Sequence, residues 1–102
     1  MNRVVIALAA LCALAASAQS TDELRAMLDR GQAAQAYEAA RRSPERLGDP
    51  GFDLVFGIAA IHSGHASEGV LALERFLLLN PDHDGARVEL ARGYFLVGEA
   101  CC

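Results

Sequence analysis

The chain has 102 residues, a formal charge of −4, nine Arg, no Lys and three His. That length allows one ordinary domain. The acidity removes the electrostatic case for nucleic-acid binding, which depends on Lys and Arg neutralising phosphates.

Arg3 precedes an apolar run over 4–16 and the small-residue exit Ala16-Ser17-Ala18, with polar Gln19-Ser20 beyond. A charged start, a short apolar centre and an A-x-A exit predict a secretory signal peptide over 1–18, too short to span a membrane. An exported, periplasmic chain is therefore expected. Cys12 lies in that segment, and Leu11 before it is too bulky for a lipoprotein signal. The remainder, 19–102, carries eight Arg against thirteen Asp or Glu and is more acidic still. Cys101 and Cys102, the two cysteines left, are neighbours, and neighbours cannot staple a fold. A core of this size is marginal, so stability has to come from well-packed helices or from outside the chain.

The first periodic stretch opens at Ser20-Thr21-Asp22-Glu23, where Ser20 and Glu23 have capping-box spacing. Leu24, Met27 and Leu28 then share a helical face until Gly31 stops it. A second stretch, 33–42, carries Ala33, Ala36, Tyr37 and Ala40 at helical spacing, with Arg41-Arg42 suited to its last turn. Ser43-Pro44 and Gly48-Asp49-Pro50-Gly51 break the chain, so 19–50 reads as a small helical hairpin. The third stretch, 52–62, is apolar almost all round and must be covered on more than one side. Ser63-Gly64 ends it. A fourth helix over about 66–79 buries Val70, Leu73, Phe76 and Leu77 before Asn80-Pro81. The next begins near Asp82 or Asp84, passes through Val88, Leu90, Ala91, Tyr94 and Phe95, and closes at Gly98. No stretch alternates with period two, so the expected class is all-α.

Gly31, Gly64 and Gly98 recur with a period of about 34 residues, and Phe56 and Gly57 match Leu90 and Ala91 in the same register. The stretch "FGIAAIHSGHASEGVLALERFLLLNPD", 56–82, followed by "ELARGYFLVGEA", resembles the tetratricopeptide repeat (TPR) family. Gly57, Gly64 and Gly69 stand at its small positions, Phe76 at a bulky one and Pro81 at its terminal proline. The sequence departs from the family at Asp53, where a large aromatic is usual. The resemblance runs from about Thr21 to the end. It implies antiparallel helix-turn-helix pairs stacked as a short right-handed solenoid, in which each repeat buries its faces on its neighbours. It also implies an atypical first pair at 19–50, a repeat at 51–82, the first half of a further repeat at 83–102, and a non-enzymatic protein-binding role. The phrase "NPDHDGARVELARGYFLVGEA" is also similar to the periplasmic repeats that precede an outer-membrane β-barrel in the surface lipoprotein assembly modifier family. That likeness covers about the last third of the chain. It implies a setting in outer-membrane assembly, with membrane attachment only through a C-terminal barrel that this sequence does not contain.

In stacked repeats the first helix of each pair lines a concave groove. The candidate partner groove is therefore Leu54, Ile58, Ile61, His62, Val88, Arg92 and Phe95, whose apolar character suits an amphipathic helix or extended apolar segment. The same residues could instead only pack on neighbouring helices. Asp82-His83-Asp84 reads as a turn in which Asp82 or Asp84 caps the next helix. The competing reading is a metal-binding or enzymatic site built from His62, His65, His83, Asp82 and Asp84, but Gly64 interrupts the helix that would align His62 with His65. Neither a Ser-His-Asp arrangement nor a phosphate-binding Gly-Lys loop is present, and no catalytic residue, cofactor or metal is expected. The last helix lacks a partner over Leu90, Ala91 and Tyr94. This predicts the front part of a longer protein, self-association through that uncapped helix, or a truncated product without function.

Overall fold

The computed structural model describes residues 18–101. The expected signal peptide, apart from Ala18, lies outside the described residues, as does Cys102. Among the described residues five α-helices follow one another: α1 (Thr21–Asp29), α2 (Ala33–Ala40), α3 (Pro50–His62), α4 (Ala66–Leu79) and α5 (Asp84–Cys101), with a 3-10 turn at Pro44–Arg46 between α2 and α3. There is no strand among the described residues, and no helix of that region is long and apolar enough to cross a membrane. Each helix packs on the next, and α1 and α5 also touch α3.

The local chemistry sets the ends of the helices. Ser20 accepts from the Glu23 backbone N–H while Glu23 reaches back to Ser20, completing the capping box at the start of α1. Gly31 and Gly64 have φ of 74° and 89°. The next amides, of Gln32 and His65, reach back to the carbonyls of Met27 and Ala60 at 2.9 and 2.8 Å. Both turns are therefore closed by the same left-handed residue and the same backward bond, which fits glycine because it has no Cβ to oppose positive φ. Three expected boundaries move, the first at the end of α2, which stops at Ala40 and not Arg42. Asp49 caps the Phe52 amide at 3.0 Å with Pro50 in the first turn, so α3 starts at Pro50. Gly98 does not close α5; helical backbone continues through it to Cys101.

The core has two parts. Around α1, α2 and α3 it gathers Leu24, Tyr37, Phe52, Val55 and Phe56, and between α3, α4 and α5 it gathers Ile61, Leu73, Phe76 and Ala86. Burying each large side chain contributes about 1.5–3 kcal/mol. Arg46 ties the start of the chain to this core. Its guanidinium donates to the Gln19 carbonyl and the Thr21 hydroxyl at 2.6 and 2.8 Å and lies 4.4 Å from the centre of the Phe52 ring.

Helices α3 and α4 meet almost backbone to backbone. A Cβ on Gly69 would lie 2.5 Å from Ile61 Cγ1 and 2.7 Å from the Gly57 carbonyl oxygen, and one on Gly57 would lie 2.7 Å from Leu73 Cγ. A turn away, the carboxylate of Asp53, only 1% exposed, accepts two bonds from the Arg75 guanidinium of α4 at 3.0 and 3.2 Å. The Gly48 amide donates to both of its oxygens at 3.2 Å. A buried charge persists only when it is met in this way.

Tyr37 links α2 to α4. Its hydroxyl donates to Glu68 at 2.7 Å and its ring stacks on His65 at 3.9 Å.

Two measurements test this packing. Gly69→Ala should lower stability in urea denaturation by about 1–3 kcal/mol, because overpacking outweighs the better helix propensity of Ala. Gly98→Ala, with nothing within 4 Å, should raise stability by up to about 1 kcal/mol. The second measurement concerns pH. Burial, and then the bond to Glu68, push the Tyr37 phenol up to about 12. The folded chain thus prefers the neutral phenol, and that stability is intact below the ordinary value of about 10. It is lost as pH rises from there through about 12, because the unfolded chain releases the proton first. Denaturation curves across that window should fall more steeply for the parent than for Tyr37→Phe.

Candidate functional site

The seven candidate groove residues do not share one surface. Leu54 and Ile58 pack against the cluster holding Ala86, and Ile61, 2% exposed, is buried there beneath Gly93 of α5. On α5 the stripe that meets the core is Ala86, Leu90 and Gly93. Val88, Arg92 and Phe95 each lie two residues further on, which at 100° per residue turns them about 200° away. Val88 and Phe95 are accordingly 61% and 66% exposed, across α5 from the α3 members. The expected groove is divided in this respect: Leu54 and Ile61 belong to the core between α3, α4 and α5, and Val88 and Phe95 are exposed on the far side of α5.

What remains on the inner side is smaller. A shallow cleft of about 260 Å³ is lined by Leu28, Gly31, Ala33, Ile58 and His62, drawn from α1, the first glycine turn, α2 and α3. At its α5 side His62 Nε2 lies 2.6 Å from Glu89 Oε2, and Arg92 Nε lies 3.7 Å from the same oxygen. An apolar floor thus meets a polar edge made by His62, Glu89 and Arg92.

The three histidines are spread over three different tasks. His62 faces Glu89. His65 stacks on Tyr37 and lies 3.4 Å from Glu68. The Nδ1 of His83 accepts the Ala86 amide at 3.0 Å, and the His83 carbonyl accepts the Arg87 amide, so the cap of α5 is the histidine. Its ring also stands edge-on to Phe76, 5.2 Å between centres. This corrects the expectation that Asp82 or Asp84 caps the helix: the ring nitrogen reaches the third residue of the helix, the position a side-chain cap serves. Asp82 thus lies in the turn, His83 caps the helix and Asp84 is its first residue. Asp49 and His83, one repeat period apart, cap α3 and α5 in the same way, each holding the amide of the third residue on.

A second apolar surface lies on the outer side of α4 and α5. Two adjoining hollows of about 310 and 440 Å³ share Leu77 and Leu90. Ala91, Tyr94 and Arg87 border one, and Leu71, Leu78 and Glu74 border the other. Leu71 is 58% and Leu78 81% exposed. The Tyr94 hydroxyl donates to Glu74 across the two helices. The face at Leu90, Ala91 and Tyr94 that the sequence left without a partner helix is thus joined by a leucine stripe of α4, which the sequence reading did not single out.

No protein-family model, no curated protein and no solved structure matches the chain.

Replacing His83 by Ala should destabilise the chain by about 1 kcal/mol, the usual loss for a helix cap. His83→Asn, which restores a short acceptor, should recover most of it in the same urea titration.

Proposed function

We propose that the chain is an exported, periplasmic interaction module of the tetratricopeptide type that holds a protein partner on the inner side of its helix pairs. The observation that carries this reading is recurrence. The Gly31 and Gly64 turns share one backbone geometry, and the Asp49 and His83 caps share one bonding pattern, with each pair separated by one repeat period. A chain that repeats a helix pair in this register buries one side of each unit on its neighbour and leaves other sides for recognition.

The inner cleft combines an apolar floor with a polar edge. Ile58 and Leu28 offer a seat for an apolar side chain, and Glu89 with Arg92 offers a charged rim that fixes the direction of the bound segment. Export rests on the pattern over 1–18, and a setting in outer-membrane assembly rests on the likeness of 80–100 to the assembly-modifier repeats.

The test is a titration of ¹⁵N-labelled chain with a helical model peptide carrying one leucine stripe and Glu and Lys elsewhere. Amide shifts should concentrate at 28–33, 58–62 and 89–92. Shifts confined to the outer side of α4 and α5, or none at millimolar peptide, would remove the inner cleft as the binding surface.

A further inference from the structure

The outer groove of α4 and α5 is an apolar surface that the described residues leave open, and its chemistry is directional. Along α4, Leu71, Glu74, Arg75 and Leu78 fall at i, i+3, i+4 and i+7, which makes them one stripe. Along α5, Arg87, Leu90, Ala91 and Tyr94 form the facing stripe. The helices run antiparallel through the 80–83 turn, so Arg87 lies near the turn and Glu74 lies further along, beside Tyr94. Leu77 and Leu90 sit between them, shared by both hollows. The order along the groove is Arg87, an apolar centre and Glu74, while Arg75 beside Glu74 turns its guanidinium to Asp53.

A patch of that order is complementary to itself. Turned by half a revolution about an axis through its apolar centre, it sets Arg87 over the partner's Glu74 and Glu74 over the partner's Arg87, the reciprocal contact of a two-fold dimer. Arg87 is exposed and enters none of the ion pairs found among the described residues. Glu74 uses Oε2 for Tyr94, which leaves Oε1 for an incoming guanidinium.

The internal repeat argues against an occupant of the kind that covers α3. The α3 residues equivalent to Leu90, Ala91 and Tyr94 are Phe56, Gly57 and Ala60, and there α4 approaches so closely that Gly57 has no room for a Cβ. Ala91 and Tyr94 put side chains where Gly57 and Ala60 have little or none. A helix seated on α5 must stand further off and meet it through side chains, as surface leucines of a second copy would.

We infer that the α4/α5 outer groove is the interface of a two-fold dimer of this chain, in which Leu78 and Leu71 of each copy seat in the other's groove and Arg87 pairs with the partner's Glu74. This surface is separate from the inner cleft, so either assignment can fail without the other.

The experiment is sedimentation velocity on the chain expressed from its own Met1, purified after whatever processing it undergoes, with a reductant present so that Cys101 and Cys102 cannot link copies. A concentration-dependent dimer is expected. Leu78→Glu should give a monomer with unchanged helical circular dichroism, since Leu78 makes little contact within the chain. Arg87→Glu should weaken the dimer by about tenfold or more, and the charge-exchanged Glu74→Arg, Arg87→Glu double variant should recover much of the loss. A parent that stays monomeric into the high micromolar range overturns the inference, whether or not a peptide binds the groove. A dimer that survives both Leu78→Glu and Arg87→Glu, or a double variant no tighter than Arg87→Glu alone, overturns it as well.

Discussion

The contact on which the other packing rests is the approach of α3 to α4 at Gly57 and Gly69. Neither position has space for a Cβ, and the Gly57 carbonyl lies against Gly69 itself. That distance lets Ile61 wedge between α4 and α5, because a Cβ on Gly69 would lie 2.5 Å, and one on Gly93 3.4 Å, from the same Ile61 Cγ1. It also lets Leu73 reach full burial under α3. If α4 moved out by the width of a methyl group, Ile61 would lose contact on one side, and a gap of that size forfeits much of the dispersion energy.

Polar groups reinforce the same contact. Asp53 is buried, charged and held by Arg75 from α4 and by the Gly48 amide from the turn before α3. One carboxylate thereby fixes the start of α3, its rotation and its partner helix. No buried side-chain nitrogen or oxygen lacks a hydrogen-bond partner among the described residues. Two of the histidines are likewise used in packing: His83 caps α5 and His65 stacks on Tyr37 of α2. Among the described residues two apolar hollows stay open, the cleft at Leu28 and Ile58 and the groove at Leu77 and Leu90.

Much of the fold was legible in single residues and short spacings. Ser20 with Glu23, the positive-φ positions Gly31 and Gly64, and the apolar circumference of 52–62 each point to their element, because the forces involved act within one turn of the chain. Asp53 shows the limit. In the sequence it is a departure from a family's aromatic position, and no local spacing connects it to Arg75 on the next helix. His83 shows it again: flanked by two aspartates that are better caps by propensity, it takes the cap because its ring also packs on Phe76.

The candidate groove residues fall on two surfaces for a similar reason. Helical periodicity says which residues share a stripe of one helix, and it grouped Leu54, Ile58 and Ile61 correctly, as it did Val88, Arg92 and Phe95. It cannot say which stripe turns toward which neighbour, because that depends on the crossing of α3, α4 and α5 set by Gly57, Gly69 and Gly93. The sequence alone determined the helices, their order and the glycine turns at Gly31 and Gly64, since backbone sterics and hydrogen bonding over a few residues decide those. Only the tertiary structure decided which faces are buried and which stay open, because that follows from how closely distant backbones can approach.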